Sequence, residues 1–254
     1  MILGHLNTIC MAPKTIALGK PVDFGQEIVK RRARLTGALL SLQNKTVLDF
    51  GCGNGAQTCE FINCGCKILA ADVTHAHLDK LAEYLRSQKR STILPVLYDG
   101  AQLPVASGSI DVVLSYDVLE HVQDESATLR EIRRVLKPRG EIVLSVPNKA
   151  WVFETHGAQL PLLQWNRVPF FSWLPHAIHR RFAKARIYRK KDIVRLLRAH
   201  SFEILCADYI TAPMDVVKNP QLKKILRTTL FGRDTTLLPF LATAILVHGR
   251  KKIS

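Results

Sequence analysis

Between residues 46 and 146, short apolar runs alternate with stretches whose apolar residues recur at helical spacing, and this alternation restricts the chain to very few architectures. TVLDF (46–50), KILAAD (67–72), TILPVL (92–97), IDVVLS (110–115) and EIVLSV (141–146) read as buried strands, with helices over 55–64, 75–88 and 124–136. Strands separated by helices pair in parallel through right-handed crossovers, which gives a doubly wound α/β sheet. RKKDIVRLLRAH (189–200) adds a helix, and FEILCADYI (202–210) and ATAILVHG (242–249) bring the strands to seven. Residues 22–42 predict a leading helix with a basic face of Lys30, Arg31, Arg32 and Arg34. The only long break in the alternation is 148–188, an insertion between strands 5 and 6.

A chain of 254 residues can bury one large core, so a single domain over 1–254 is expected: a helical segment to residue 44, a core over 45–147, the insertion over 148–188 as a lid, and a last helix and two strands over 189–254. The net charge of +15, from 36 Lys and Arg against 21 Asp and Glu, predicts attraction to nucleic acid, an anionic membrane surface or an anionic substrate. Cys52, Cys59, Cys64 and Cys66 crowd together without the spacing of a zinc site, so reduced thiols and no metal are expected. The N-terminus lacks a basic start followed by a long apolar run and a small-residue cleavage site, and 237–247 is far shorter than the roughly 20 residues of a membrane span. The expected location is cytoplasmic.

The segment KTVLDFGCGNG (45–55) places Gly51, Gly53 and Gly55 at the first strand-to-helix turn, where open α/β sheets bind ligands beyond the strand ends. Glycines permit a tight turn and a close approach, and the amides opening the next helix suit a carboxylate or phosphate. Asp49 is an acceptor for a ligand ammonium. Gly51, Gly53 and Ala56 equally satisfy the spacing of dinucleotide-binding enzymes. Asp72 closes the second strand at a distance suited to ribose hydroxyls, which points to an adenosine ligand without separating S-adenosylmethionine from NAD.

Four segments remove that ambiguity: VLDFGCGNG, AAD at the second strand, DGAQLPVASGSIDVVLSYDVLEHVQD, and LREIRRVLKPRGEIVLSVPN. Together they resemble the class I S-adenosylmethionine-dependent methyltransferases, in particular those acting on small molecules and lipids, over 45–148. The resemblance implies a Rossmann-like, mostly parallel sheet and S-adenosylmethionine as cofactor. It assigns Asp49, Gly51 and Gly53 to the methionine end, Asp72 to the ribose, Asp99, Gly100 and Ala101 to the adenine, Ser115 and Asp117 to the cofactor-facing end of the fourth strand, and Asn54 and Val73 to the cofactor pocket. Asn54 stands where a small hydroxyl residue is often found.

Methyl transfer is an in-line displacement in which alignment supplies much of the acceleration. His121, beside the methyl group's path by the same resemblance, is the candidate general base and a substrate contact. Trp151, Trp165 and Trp173 fall within 23 positions together with Phe153, Phe170 and Phe171, a composition suited to covering an apolar or aromatic substrate. Trp151, Phe153, Glu154 and His156 are the further candidate substrate residues. The segment 179–200 carries nine Lys or Arg against one Asp, suited to the inner surface of an anionic membrane or to an RNA backbone. The resulting expectation is O-methylation of an apolar or lipid-like small molecule. RNA methylation and a non-catalytic S-adenosylmethionine-binding regulator are the alternatives.

Overall fold

The computed structural model describes residues 21–88, 92–153, 158–159, 164–165, 169–175, 179 and 181–253. Its elements are α1 (Glu27–Leu39), β1 (Thr46–Phe50), a 3₁₀ turn (Thr58–Phe61), β2 (Lys67–Asp72), α2 (His75–Ser87), β3 (Ile93–Leu97), β4 (Ile110–Tyr116), α3 (Glu125–Val135) and β5 (Leu136–Pro147). The insertion contributes β6 (Ala158–Gln159), β7 (Gln164–Trp165) and a 3₁₀ turn (Phe171–Trp173). After it come α4 (Lys190–Ala199), β8 (Phe202–Thr211), α5 (Pro220–Thr228), β9 (Thr235–Thr236) and β10 (Ala242–Lys251).

The principal sheet has the order β3-β2-β1-β4-β5-β10-β8-β9. The first five strands are parallel, with α2 and α3 forming the crossovers after β2 and β4, and β10 runs antiparallel to both β5 and β8. The predicted seven strands are all present, and two-residue β9 adds an eighth at the edge of β8. Both faces are covered, so the strands alternate between two cores. Val47, Val112 and Leu114 face one with Leu81 and Leu85 of α2. Leu48, Val113 and Leu144 face the other with Leu129 and Ile132 of α3 and Ile193 and Leu197 of α4.

One predicted helix does not form. Residues 55–64 make a single 3₁₀ turn, Thr58–Phe61, because the segment is short, ends at the turn around Gly65 and is rich in Thr, Cys, Phe, Ile and Asn, all poor helix formers. The leading helix is also shorter than predicted, and its basic face is split. Lys30 and Arg34 are exposed, whereas Arg31 and Arg32 are almost fully buried. Arg31 donates to the carbonyls of Thr211, Ala212 and Phe231, which fastens α1 to the end of β8. Such a guanidinium is tolerated inside because its donors are met by carbonyls.

Candidate active site

The order β3-β2-β1-β4 sets the carboxyl ends of four parallel strands side by side, and the predicted cofactor residues follow those ends in turn. After β1, Gly51 and Gly55 adopt positive φ of +76° and +82°. A Cβ on Gly51 would lie 2.5 Å from Val118 Cγ2, and one on Gly55 would lie 2.3 Å from Leu81 Cδ1. These glycines therefore let the turn close onto the loop after β4 and onto α2.

The amides of Gly51 and Cys52 bond the Ala71 carbonyl at 2.8 and 3.0 Å, and that of Gly53 bonds Asp72 Oδ2 at 2.8 Å. With these donors taken internally and no full helix behind them, the turn differs from the anion-binding helix N-terminus that its glycine spacing suggested. Asn54 serves the turn itself, accepting from the Ala56 amide at 3.1 Å and donating to the Val22 carbonyl at 3.2 Å.

The dominant chemistry is acidic. Asp49 is buried, accepts the Thr58 hydroxyl at 2.6 Å, and has its pKa pushed up to about 6 by burial, with the Thr58 bond opposing and the charge of Asp72 adding to the rise. Asp72, buried on the neighbouring strand end, also accepts the Thr74 amide at 2.8 Å and lies 3.2 Å from His77 Nδ1. A dinucleotide would bring its pyrophosphate anion to this turn, where the amides of Gly51, Cys52 and Gly53 are already taken internally and the Asp49 carboxyl lies buried beneath. S-adenosylmethionine carries an ammonium, a sulfonium and a ribose diol, and this donor set fits it.

Beyond β2 and β3, Val73 and Gly100 are neighbours: a Cβ on Gly100 would stand 3.6 Å from Val73 Cγ1. Asp99 is exposed, and its Oδ1 accepts the amides of Ala101 and Gln102 at 2.8 and 3.0 Å, which hold its carboxyl below the usual range. The arrangement is a turn that also offers an acceptor rim.

Ser115 is buried within β4. Asp117, just past the strand at φ +55°, accepts Ser145 Oγ at 3.1 Å and a short bond from the Arg32 guanidinium. Thus Asp117 joins α1, β4 and β5, a role its sequence position did not reveal. His121 lies on the following loop, half-buried, with its amide bonded to the Val118 carbonyl at 2.8 Å.

That loop is clamped from the far side of the insertion. The Arg186 amide donates to the Glu120 carbonyl at 3.2 Å, and its guanidinium donates to the carbonyls of Val122 and Gln123. The Glu120 carboxyl is fully buried, and burial together with the charge of Asp117 holds its pKa well above the ordinary value. Sequence reasoning missed Arg32 and Arg186. Only a basic residue embedded at apolar helix spacing hinted at the first.

On the substrate side, Trp151 is buried with Ala212 and Phe231, so here it packs the insertion against the end of β8. Phe153 is partly exposed with its ring 5.8 Å from that of Trp151. Glu154 and His156 lie outside the described residues. Nearby, Asn148, Lys149, Trp173, Arg189, Lys191 and Tyr209 line an open cleft of about 710 Å³ at the β5 and β8 end of the same sheet edge. Among the described residues no helix is long and apolar enough to cross a membrane.

A family profile described as a methyltransferase domain matches residues 48–144, the stretch from β1 to β5 that bears these strand ends. A ubiquinone biosynthesis O-methyltransferase of Bartonella tribocorum is 27% identical over 154 residues, 59% of this chain and 58% of that protein. The protein of the same description from Nitrosococcus oceani is 31% identical over 130 residues, 48% of this chain and 53% of that one. The chain thus spans less than two thirds of the length of these curated relatives. A solved S-adenosylmethionine-dependent methyltransferase from Mesorhizobium loti shares the fold with a TM-score of 0.57 at 18% identity, over 86% of this chain and 96% of that one.

Proposed function

We propose that this chain, which belongs to the class I S-adenosylmethionine-dependent methyltransferases, transfers a methyl group to a hydroxyl of an apolar or aromatic, lipid-like small molecule. The observation that carries the cofactor half is the pair of buried carboxyl groups, Asp49 and Asp72, on adjacent strand ends. The acceptor half is supported by the relatives' description as O-methyltransferases and by the partly exposed rings of Phe153, Phe170 and Trp173 in the insertion.

When bound, S-adenosylmethionine supplies a methyl group on a positive sulfur that is its own leaving group. Asp49 then faces the ligand's cations and Asp72 its ribose hydroxyls, with Val73, Asp99, Gly100 and Ala101 along the adenine. Ser115 and Asp117 close the β4 side, where Arg32 and Ser145 fix the Asp117 carboxylate. His121 takes the proton of the acceptor hydroxyl as that oxygen attacks the methyl group, and Arg186 holds the loop on which His121 stands. A rigid loop matters because misplacement by about 1 Å can cost on the order of a hundredfold in rate. Phe153, Glu154 and His156 are proposed to contact the acceptor, and the basic 179–200 segment to draw the protein to an anionic membrane surface.

Calorimetric titration tests the first half: S-adenosylmethionine binds, Asp72→Ala loses it, and NAD does not compete. NAD binding in its place refutes the cofactor. For the second half, a lysate is incubated with methyl-labelled cofactor and separated into organic, aqueous and RNA fractions. Label in the organic extract is the expected result, label in RNA transfers the reading to RNA methylation, and cofactor binding without label in any fraction makes the chain a binding protein. His121→Ala should lower turnover more than cofactor affinity, and unchanged turnover removes it as the base.

A further inference from the structure

The basic segment 179–200 is not where the apolar surface lies. Of α4, Ile193 and Leu197 are fully buried against the sheet, so that helix offers cations to solvent but has no apolar face left to insert. The opposite holds for α5, PQLKKILRT, in which no residue is buried. Ile225 is 58% exposed, Leu230 just beyond the helix 65%, and Leu237 in the following loop 95%. Leu222, Leu238 and Phe240 are exposed as well. Six large apolar side chains from 222–240 thus face water within one connection between β8 and β10. Isolated exposed apolar residues are ordinary, but such a concentration marks an interaction surface.

The same connection is cationic. Residues 212–241 hold five Lys or Arg and two acids, Asp215, which pairs with Arg227 at 2.8 Å, and Asp234. Asp234 is held by Arg34 at 2.6 and 2.7 Å, so it does not offset the half-buried Lys223 or the exposed Lys224. Leucines and isoleucines interleaved with lysines on a short amphipathic helix suit insertion at a headgroup boundary. A second copy of this chain fits poorly, because a two-fold contact would set α5 and its lysines against their own copies. RNA fits poorly too, because bases stack on aromatic rings and the exposed set is mostly aliphatic.

We infer that α5 and the 229–240 loop form a docking surface for an anionic lipid bilayer. The connection leaves the carboxyl end of β8 and re-enters at β10, on the sheet edge that carries the glycine turn. It is tied to the insertion, since Asn148 Nδ2 donates to the Pro239 and Ala242 carbonyls at 2.7 and 2.8 Å, and Leu226 and Phe231 pack with Trp151. The 710 Å³ cleft, bordered by Trp173 and Pro239, then opens toward the lipid with Lys149, Arg189 and Lys191 at headgroup level. The inference rests on the proposed apolar acceptor only in giving that acceptor a route from the bilayer to the site.

Co-sedimentation with phosphatidylglycerol vesicles, and separately with phosphatidylcholine vesicles, tests it. The full chain should pellet with the anionic vesicles, weakly with the neutral ones, and release as salt rises. The variant Leu222→Ser/Ile225→Ser and, independently, Leu237→Ser/Leu238→Ser should each lower partitioning by about tenfold or more, with melting temperature and S-adenosylmethionine affinity in buffer unchanged. No binding of the wild type, or binding indifferent to both variants but lost in Arg195→Glu/Arg198→Glu on α4, overturns the inference. So does sedimentation equilibrium showing a wild-type dimer that either serine variant dissolves. Because vesicle binding is read without turnover, it can fail while methyl transfer stands, and the reverse holds as well.

Discussion

Replacing Asp49 with Asn should stabilise the cofactor-free protein while removing its affinity for S-adenosylmethionine. The Asp49 carboxyl titrates at about 6 in the folded chain against an ordinary 3.8, because burial disfavours its anion. Between those values the folded state binds more protons than the unfolded one, so stability falls as pH rises through the window and the full penalty is present above pH 6. A shift of this size corresponds to roughly 3 kcal/mol at pH 7 and only about 0.5 kcal/mol at pH 4. Asparagine carries no charge, and its carbonyl can still accept the Thr58 hydroxyl that Asp49 accepts at 2.6 Å. For a chain of 254 residues the gain at neutral pH amounts to a rise in Tm of about 6 °C. Urea unfolding of both proteins from pH 4 to 7.5 gives the difference directly. A second arm adds cofactor: wild type at a hundred times its Kd should gain about 2.7 kcal/mol, and Asp49→Asn close to nothing. Equal stabilities at pH 7, or a difference that does not grow with pH, would show that the carboxyl is neither desolvated nor strained as argued. Unimpaired cofactor binding by the variant would refute its role as the counter-charge.

Two further substitutions test the frame around the site. Gly55→Ala places a Cβ 2.3 Å from Leu81 Cδ1, deep in the core, at φ +82°, and should destabilise by about 2–4 kcal/mol in urea unfolding; a loss under about 0.5 kcal/mol would mean the turn can rearrange. Arg186→Ala removes the guanidinium bonds to the Val122 and Val122-adjacent Gln123 carbonyls, and should lower turnover about tenfold or more while leaving cofactor Kd within about twofold. Arg186→Lys should recover only part of it, since one ammonium cannot reproduce the fork, and full activity in either variant would detach the insertion from the His121 loop.

What could be read from the sequence and what could not divide along the range of the interactions. The strands were legible because both faces of the sheet are covered, so each strand is a continuous apolar run whatever its neighbours are. That Asp49, Asp72 and Asp99 fall together was legible because each lies at, or within two residues of, a strand's carboxyl end, and strand order sets those ends side by side. The helix expected at 55–64 failed for the converse reason: alternation called for a helix, and local residue preference refused it. Arg31 and Arg32 looked like a solvated face because their partners, the carbonyls of Thr211, Ala212 and Phe231 and the carboxylate of Asp117, lie 85 to 200 residues away. The packing of Trp151 was not legible because nothing near it in the chain announces Phe231 and Leu226.

The two amphipathic basic helices show the same limit most sharply. In sequence α4 and α5 are alike, each with leucine or isoleucine at helical spacing among lysines and arginines. Only the sheet distinguishes them. α4 precedes a ten-residue strand and returns antiparallel across its face, which buries Ile193 and Leu197. α5 lies in a connection that leaves the sheet's edge at Thr211 and rejoins it at Ala242, and only a two-residue strand pairs with β8 in between. With no sheet face beneath it, Leu222 and Ile225 stay in water, while Leu226 packs with Trp151 and Phe231. A pattern of apolar and cationic residues therefore specifies that a helix has two faces, while the strand connections decide whether the apolar one faces the protein's own core or something outside it.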